Sequence, residues 1–259
     1  MESPVPDPEP RRPGLILRAI VATLRAPVTA MVKRDWRGAE HLPPTEGFVV
    51  AANHVSHSDP VMLAHFLYDN GVPPRYLAKA ALLDLPVAGR ILRATGQIPV
   101  YRGTSHASDA YAAAKQAVLD GDCVIFYPEG TITRDPDEWP MSGKSGAARV
   151  ALETGCPVIP VAQWGPNMFL EPYTAVPHVL PRRTMVISAG PPVDLTDLRE
   201  EGVSAAILAE ATERIMDAVT EELAKIRGVA APTGRMSLDD PRVRQRPRPR
   251  RHAAPEKEK

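Results

Sequence analysis

The pattern of apolar and polar positions predicts a protein of alternating strands and helices. Short apolar runs bounded by turn residues indicate buried strands, and apolar residues every three to four positions indicate helices. Strands are predicted at 32–36, 47–52, 75–78, 97–101, 123–127, 158–162 and 185–189. Helices are predicted at 61–68, 82–94, 108–118, 143–154 and 204–227. This alternation predicts an α/β fold with a mostly parallel or mixed central sheet flanked by helices.

Residues 14–34 carry a separate pattern, which is typical of a basic amphipathic helix. Apolar side chains recur at helical spacing on one face, namely Leu17, Ile20, Leu24, Val28 and Met31. The opposite face carries Arg18, Arg25 and Lys33. A helix of this kind can lie in a membrane interface with its arginines among lipid phosphates. The alternative is a helix whose apolar face packs on the domain, and the sequence leaves both open.

Length and composition divide the chain into four segments. With 259 residues and 44% hydrophobic content, one α/β domain with extensions is expected. Residues 1–13 and 229–259 are rich in proline and charged residues, which predicts disorder at both ends. Between them we expect the amphipathic helix at 14–34 and the α/β domain at 35–228.

Charge and cysteine content narrow the class of protein. The formal net charge is zero, and no nucleic-acid-binding module is recognisable, so no nucleic-acid partner is expected. Basic residues concentrate towards both ends, which indicates contact with an anionic membrane surface. No apolar run is long enough to span a bilayer, so a soluble or peripheral protein is predicted. Cys123 and Cys156 lack the spacing of a metal site and are expected to be reduced core thiols of a cytosolic protein.

The stretch NHVSHSD, residues 53–59, directly follows an apolar strand and carries the first candidate chemistry. On one regular helix His54 and Asp59 would diverge by about 140°, so their pairing requires a bend between them. Pro60 supplies a helix start there, because proline is tolerated in the first turn and Asp59 can cap free N–H groups. The two residues are either a base with its orienting carboxylate or a buried histidine beside a helix cap. Asp59 can fill both roles.

Two further histidines offer alternatives. His57 is a competing base, and it would form a metal pair with His54 if a third ligand of suitable spacing were present. None is recognisable, so no metal site is predicted. His65 lies within a predicted helix and is expected to be structural.

Four blocks of sequence, in order, resemble the glycerolipid acyltransferase family, typified by 1-acylglycerol-3-phosphate acyltransferases. The family patterns are N-H-x-x-x-x-D, G-x-I-x-V-x-R, F-P-E-G-T and V-x-I-P-V. They are matched here by residues 53–59, 96–102, 126–131 and 157–161. The resemblance covers about residues 36–190 and implies the family's α/β acyltransferase fold.

The resemblance implies roles for the histidine and the aspartate. His54 would be the general base that takes the proton from the acceptor hydroxyl, and Asp59 would hold the imidazole tautomer. Direct transfer requires no metal and no organic cofactor. The co-substrate would be acyl-CoA or an acyl-carrier protein, and the sequence does not decide between them.

The resemblance also implies a binding site for the acceptor phosphate. Its candidate residues are Arg102, Glu129, Gly130, Thr131 and Arg134. We expect Glu129 to pair with an arginine or to bind the glycerol portion. Many family members place a basic residue directly after the threonine, whereas here Ile132 and Thr133 intervene before Arg134. Secondary candidates are Asn53, Lys79 and Lys144, the last near a helix N-terminus that favours anions.

The function implied is transfer of a fatty acyl group to lysophosphatidate, giving phosphatidate, by a peripheral protein at the cytoplasmic membrane face. Two alternatives stay open: an acyl thioesterase that activates water with His54, and a non-catalytic module that binds anionic lipid. The segment 164–183 is interpreted as the lining of an acyl channel, a membrane contact or a packed surface loop. Acyl-chain length and oligomeric state are not determined by the sequence.

Overall fold

The computed structural model describes residues 14–100, 107–172, 174 and 176–243, which contain a seven-stranded sheet. Its strands are β1 (Val32–Arg37), β2 (Phe48–Ala52), β3 (Pro74–Lys79), β4 (Ile98–Val100), β5 (Cys123–Phe126), β6 (Val158–Trp164) and β7 (Arg183–Ala189). Their order across the sheet is β1-β7-β6-β2-β5-β3-β4. Neighbouring strands are parallel except β6 and β7, which pair antiparallel. The prediction of a mostly parallel or mixed sheet is confirmed.

Helices cover both faces of this sheet. They are α1 (Leu15–Met31), α2 (Asp59–Asp69), α3 (Ala80–Leu83), α4 (Ala88–Ala94), α5 (Ala107–Leu119), α6 (Gly146–Thr154), α7 (Pro166–Phe169), α8 (Thr196–Glu200) and α9 (Ala205–Arg227). Every residue of β2 is buried. Because side chains alternate along a strand, Val49 and Ala51 pack with α5, α6 and α9, whereas Phe48 and Val50 pack with α2 on the other face. This two-sided burial explains the uninterrupted apolar run in the sequence.

The helix predicted at 82–94 is wrong in its continuity. The chain forms two short helices, α3 and α4, and Pro86 lies in the turn between them. Proline in a helix interior removes a backbone hydrogen bond and clashes with the preceding turn, so the pattern could not continue through it. Gly89 follows at a close approach, since a Cβ there would lie 1.9 Å from the carbonyl oxygen of Leu83.

The helix α9 begins and ends at the residues that the sequence indicates. Ser204 precedes it, and the Ser204 Oγ accepts a hydrogen bond from the N–H of Ile207. Gly228 ends it with a φ of 66°, which is the left-handed conformation that glycine adopts without strain. The domain boundary predicted at Gly228 therefore coincides with a helix end.

Residues 229–243, here called the C-terminal strap, form neither helix nor strand, yet they contact the domain. Arg235 forms ion pairs with Glu213 and Asp217 on α9. The carbonyl oxygen of Met236 accepts a hydrogen bond of 2.9 Å from the N–H of Ser142. Contacts with the domain thus extend beyond Gly228, where composition predicted that order ends. Residues 1–13 and 244–259 lie outside the described part of the chain.

The helix α1 turns its apolar face towards the domain. Leu17, Ile20, Val21 and Val28 line a large cavity, and Val28 and Met31 also pack against the core. The sequence left open whether this face lies in a membrane interface or packs on the domain, and in the structure it packs on the domain. Among the described residues, no helix has both the length and the apolar character needed to cross a membrane.

Candidate active site

The bend between His54 and Asp59 brings their side chains together at the end of β2. The distance from His54 Nδ1 to Asp59 Oδ2 is 2.8 Å. Asp59 is completely buried, and 17% of the His54 side chain is exposed. The loop 53–58 therefore reverses the direction of the chain before α2 begins, as the pairing required.

The carboxylate of Asp59 is held by three donors on one oxygen. Besides His54 Nδ1, Oδ2 accepts from the backbone N–H of Val55 at 2.6 Å and of Ser56 at 2.8 Å. These N–H groups belong to the loop before α2, and not to the first turn of the helix as the capping prediction required. That prediction is wrong in this respect: Asp59 closes the preceding loop, which fixes both its own position and that of the imidazole.

This arrangement determines which nitrogen of His54 can act as a base. An ionised carboxylate only accepts hydrogen bonds, so Nδ1 carries the hydrogen and Nε2 carries the lone pair. The ring stacks on Tyr127, with centroids 4.4 Å apart and an interplanar angle of 26°. His54 also lines the large cavity. The imidazole is thus oriented by its neighbours and has its basic nitrogen available for a ligand.

The backbone of His54 is fixed by the turn that follows β5. Its N–H donates to Glu129 Oε1 at 3.0 Å, and its carbonyl oxygen accepts from the N–H of Thr133 at 2.7 Å. The second oxygen of Glu129 accepts from the N–H of Met141 at 3.0 Å. One carboxyl group therefore joins the histidine loop to the segment that leads into α6.

Glu129 is a structural member of the site. It is 2% exposed, and burial raises the pKa of its carboxyl group to about 8, although the two backbone N–H donors act in the opposite direction. The sequence predicted a pairing with arginine or a contact with the glycerol portion. Its oxygens instead bind the backbone of His54 and Met141, because both N–H groups are buried and need an acceptor.

Asn53 has a similar supporting position. Its Oδ1 accepts from the N–H of Gln163 at 2.7 Å, and its Nδ2 donates to the carbonyl oxygen of the same residue at 3.1 Å. Asn53 is 1% exposed and clamps the end of β2 to β6. Its amide is committed to this clamp and does not face the cavity.

The turn after β5 and the N-terminal end of α6 form one corner of the cavity. Gly130 has a φ of 67°, and a Cβ there would lie 3.0 Å from the Nζ of Lys144. Thr131, Lys144 and Gly146 line the cavity beside it. Arg134 is not among the described residues that line it, and its Nε is buried without a hydrogen-bond partner. Lys144 is therefore the cation that the fold places next to the Gly130 turn.

Two predicted site residues cannot be placed. Arg102 lies in the segment 101–106, outside the described residues. Lys79 ends β3, but its side chain also lies outside the description. The strands β3 and β4 end at the same edge of the sheet as β2, since β2, β3, β4 and β5 are mutually parallel.

The cavity has a volume of about 1080 Å³, above the range of ~300–1,000 Å³ typical of sites for small molecules. Its walls are largely apolar and come from α1, α2, β3, α4 and the end of β5. Apolar members include Leu17, Ile20, Val61, Leu77, Ile91 and Phe126. The segment 164–183 supplies no described residue to this lining, so the interpretation of that segment as an acyl-channel wall does not hold for this cavity.

The remaining candidate ligands, His57, His65 and the two cysteines, have different surroundings. His57 lines the cavity and is exposed. His65 packs edge-on against Trp36 at 4.8 Å, and burial lowers its pKa. Within the described ranges, no group of three or more His, Cys, Asp or Glu side chains is arranged to hold a metal ion. Cys123 and Cys156 are buried free thiols.

Sequence reasoning missed three residues of the site. Tyr127 stacks on His54, Gln163 binds Asn53 through its backbone, and the N–H of Met141 holds Glu129. Tyr127 stands inside the block 126–131, and its aromatic ring was an available signal. Met141 acts through its backbone N–H, which leaves no trace in the choice of side chain, whereas Gln163 uses both its backbone and its Nε2, which donates to the carbonyl oxygen of Asn53 at 3.3 Å.

Comparisons with known proteins identify the family of this chain. The family model described as Acyltransferase matches residues 33–164. A 1-acyl-sn-glycerol-3-phosphate acyltransferase of Borreliella burgdorferi is 31% identical over 133 residues, covering 51% of this chain and 51% of its own length. The 1-acyl-sn-glycerol-3-phosphate acyltransferase alpha of Mus musculus is 32% identical over 148 residues, covering 56% of this chain and 50% of its own. The chain spans about half the length of these relatives.

A solved structure shares the fold. The crystal structure of the 1-acyl-sn-glycerophosphate acyltransferase PlsC from Thermotoga maritima superposes with a TM-score of 0.64 at 22% identity, covering 84% of this chain and 82% of that one. The family model spans about half of the chain, from β1 to the end of β6, and includes every residue that positions His54. This chain therefore belongs to the acyltransferase family.

Proposed function

We propose that the protein transfers a fatty acyl group from an acyl thioester to the free hydroxyl of lysophosphatidate, giving phosphatidate. The observation that carries the proposal is the oriented His54–Asp59 pair on the wall of a large apolar cavity that also contains Lys144. The cavity offers apolar surface for acyl chains, a base at its wall and a cation for phosphate. The relatives named for 1-acyl-sn-glycerol-3-phosphate acylation support the same substrate class.

The proposed step needs no covalent enzyme intermediate. Nε2 of His54 takes the proton of the acceptor hydroxyl as its oxygen attacks the thioester carbonyl carbon. The positive charge on the imidazole is stabilised by Asp59, which is buried 2.8 Å away. The carbon–sulfur bond then breaks, and the thiolate receives the proton from His54. Acyl-CoA and acyl-carrier protein both carry the acyl group as a thioester, so either can be the acyl donor in this step.

The acceptor phosphate is proposed to lie in the corner formed by Gly130, Thr131 and Lys144. Gly130 lets the backbone come close to an anion, Thr131 adds a hydroxyl donor, and Lys144 adds charge. Lys79, which ends β3, and Arg102, which follows β4 in the sequence, are proposed as further phosphate ligands because β3 and β4 end at the same edge of the sheet as β2. Arg134 has a weaker claim, since it does not line the cavity.

The working location proposed is the cytoplasmic face of the cell membrane, with peripheral attachment. Both proposed lipids are amphiphiles that partition into membranes. Arg18 is exposed on α1 and would attract anionic lipid by about 1 kcal/mol near the surface.

One experiment tests the function. Purified protein is given radiolabelled acyl-CoA or acyl-carrier protein with lysophosphatidate, and the products are separated. Labelled phosphatidate is expected, and His54→Ala should lower its rate by about 10²- to 10⁴-fold with an unchanged melting temperature. His57→Ala is the matched control, because it removes a second histidine that lines the cavity and leaves the His54–Asp59 hydrogen bond in place.

Other products would overturn the proposal. Labelled free fatty acid that forms without any dependence on lysophosphatidate would identify a thioesterase. Absence of turnover with every donor, together with lipid binding that survives His54→Ala, would identify a binding module.

A further inference from the structure

The apolar face of α1 is already occupied, which changes how the protein can meet a membrane. Leu17, Ile20, Val21 and Val28 face the cavity. Beyond the first turn, the described outward positions of the helix carry mainly small or basic side chains, such as Ala19, Ala22 and Arg18. A helix that lies flat in a bilayer interface must bury a long apolar stripe, and the described outward side chains of α1 do not form one.

A different set of apolar side chains is exposed. It lies at the first turn of α1 and along the α3–α4 segment, and we call it the apolar rim: Leu15, Ile16, Leu82, Leu85, Val87 and Ile91. Leu15 is 80% exposed and Val87 is 71% exposed. Single exposed apolar residues are ordinary, but six of them on two neighbouring elements indicate an interaction surface.

The rim borders the cavity. Leu82 and Ile91 are both exposed and part of the cavity lining, so the cavity wall continues to the surface at these two residues. On the other side, Leu17 and Ile20 line the cavity one turn beyond the exposed start of α1, and α1 contacts α4. The surface around the rim therefore continues directly into the apolar walls that lead to His54.

The charge next to the rim favours one kind of partner. Arg18, Arg90 and Arg93 are exposed on α1 and α4, whereas Asp84 is the exposed acid of the α3–α4 segment. Arg25 is not counted with them, because it forms an ion pair with Asp69. Arg93 is held at the turn, since its Nη1 donates to the carbonyl oxygen of Leu83 at 2.6 Å. Apolar side chains bordered by arginines match a membrane surface that contains anionic lipid.

We propose that the apolar rim inserts into a membrane leaflet containing anionic phospholipid, with the α3–α4 turn and the start of α1 as its two contacts. Lipid substrates then pass from the leaflet into the cavity without crossing water. The membrane contact stands independently, whereas the passage of substrates rests on the proposed function. The lateral face of α1 remains above the headgroups in this arrangement.

Binding of the full chain to vesicles tests the contact. Vesicles of phosphatidylcholine with phosphatidylglycerol are compared with vesicles of phosphatidylcholine alone. Val87→Asp and Leu85→Asp should each lower the partition coefficient on anionic vesicles by about tenfold or more, because a buried apolar side chain is replaced by a charge. Neither residue lines the cavity, so folding and the site are preserved.

A matched control and a reporter complete the test. Leu119→Asp changes a leucine that is 58% exposed at the end of α5, away from the rim, and it should leave binding unchanged. Val87→Trp should show a blue-shifted fluorescence increase with anionic vesicles that the parent protein lacks. If Val87→Asp binds anionic vesicles as well as the parent protein does, the proposal is overturned. It is also overturned if Leu119→Asp loses as much vesicle binding as Val87→Asp, or if the rim variants change only the self-association of the protein.

Activity separates this proposal from the proposed function. With water-soluble, short-chain acyl donor and acceptor, Val87→Asp should keep parental turnover, and with vesicle-borne lysophosphatidate it should lose about tenfold. If the parent protein binds anionic vesicles through the rim but transfers no acyl group, the function fails and the rim stands. If acyl transfer is observed and Val87→Asp is as active as the parent protein on vesicle-borne lysophosphatidate, the proposed membrane contact of the rim is contradicted and the proposed function is not.

Discussion

Two walls of the cavity meet at His54, and they are held in opposite ways. His54, Thr131 and Lys144 lie on the polar wall. It is held from behind by Asn53, Asp59 and Glu129, which are buried and bound to backbone groups at the ends of β2, β5 and β6. The apolar wall comes from α1 and the α3–α4 segment, which keep large apolar side chains exposed. His54 is thus held by several hydrogen bonds of defined geometry. The apolar wall relies on hydrophobic contacts, which require no defined geometry. Changes in the polar wall should therefore cost more than changes elsewhere.

Asp59→Asn is expected to have the largest effect on the polar wall. The asparagine amide cannot satisfy three N–H donors on one oxygen, and it no longer enforces the Nδ1–H tautomer. The turnover number should fall by about 10³- to 10⁴-fold, as for a triad whose aspartate is amidated. Steady-state kinetics at saturating acceptor measure it. A loss below tenfold would mean that orientation of His54 does not depend on Asp59.

Glu129→Gln tests the polar wall through the pH dependence of stability. An unfolded chain loses the Glu129 proton near 4.5, whereas the folded protein, with a pKa of about 8, keeps it longer. The free energy of unfolding should therefore decrease as pH rises from about 4.5 to about 8, by on the order of a few kcal/mol, and this part of the slope should vanish in Glu129→Gln. Urea unfolding at several pH values across this window measures both slopes.

The control for this comparison is internal. Burial lowers the pKa of His65 from 6.5, so His65 favours folding as pH rises through that region, with the opposite sign to Glu129. Both proteins contain His65, and its contribution cancels in the difference. Parallel slopes in the two proteins would show that Glu129 is ionised throughout the window.

Lys144→Ala is expected to raise KM for the acceptor by about 10- to 100-fold, with a smaller change in the turnover number. A charge-assisted hydrogen bond to phosphate contributes about 1.5–3 kcal/mol to binding. Arg134→Ala is the comparison variant, because it removes a cation that does not line the cavity. Initial rates against lysophosphatidate concentration measure both. A larger increase of KM in Arg134→Ala would mean that Arg134, which the sequence pattern favoured, binds the acceptor phosphate instead of Lys144.

The polar wall was largely predictable from the sequence because its residues follow strands. Parallel strands place their carboxyl ends at one edge, so His54 and the Gly130 turn were expected to meet. The partners of Glu129 were not predictable, since they are backbone N–H groups from distant segments. The apolar wall was predicted less well, because helical periodicity identifies a face without identifying what covers it. The apolar stripe of α1 is confirmed at Leu17, Ile20, Val28 and Met31, but only the fold turns it towards the cavity and the core. The side chain of Leu24, which the sequence placed on the same face, lies outside the description.

The smallest expected effect belongs to the C-terminal strap, which supports the polar wall from outside. Residues 141–144 precede α6 and are held at separate backbone points: Met141 by Glu129, Ser142 by Met236 and Lys144 by the carbonyl oxygen of Pro128. Gly143 has no room to shift, since a Cβ there would lie 2.8 Å from the Cγ of Met216 on α9. The strap thus holds the loop two residues before Lys144.

Arg235→Ala removes the ion pairs with Glu213 and Asp217 that hold the strap on α9. The two carboxylates are more than half exposed, so the ion pairs contribute little, but the Arg235 side chain is only 9% exposed and its packing is lost as well. The direct loss in stability should be about 1–2 kcal/mol. The loosened Ser142 should exchange its amide hydrogen faster, and KM for the acceptor should rise about threefold with an unchanged turnover number. Arg214→Ala is the matched control, since Arg214 also bridges two carboxylates, those of Asp197 and Glu210, but leaves the strap in place. Equal rates of amide hydrogen exchange in the 139–146 peptide of both variants would mean that Glu129 and Pro128 suffice to hold Lys144. The C-terminal strap would then make no contribution to the polar wall.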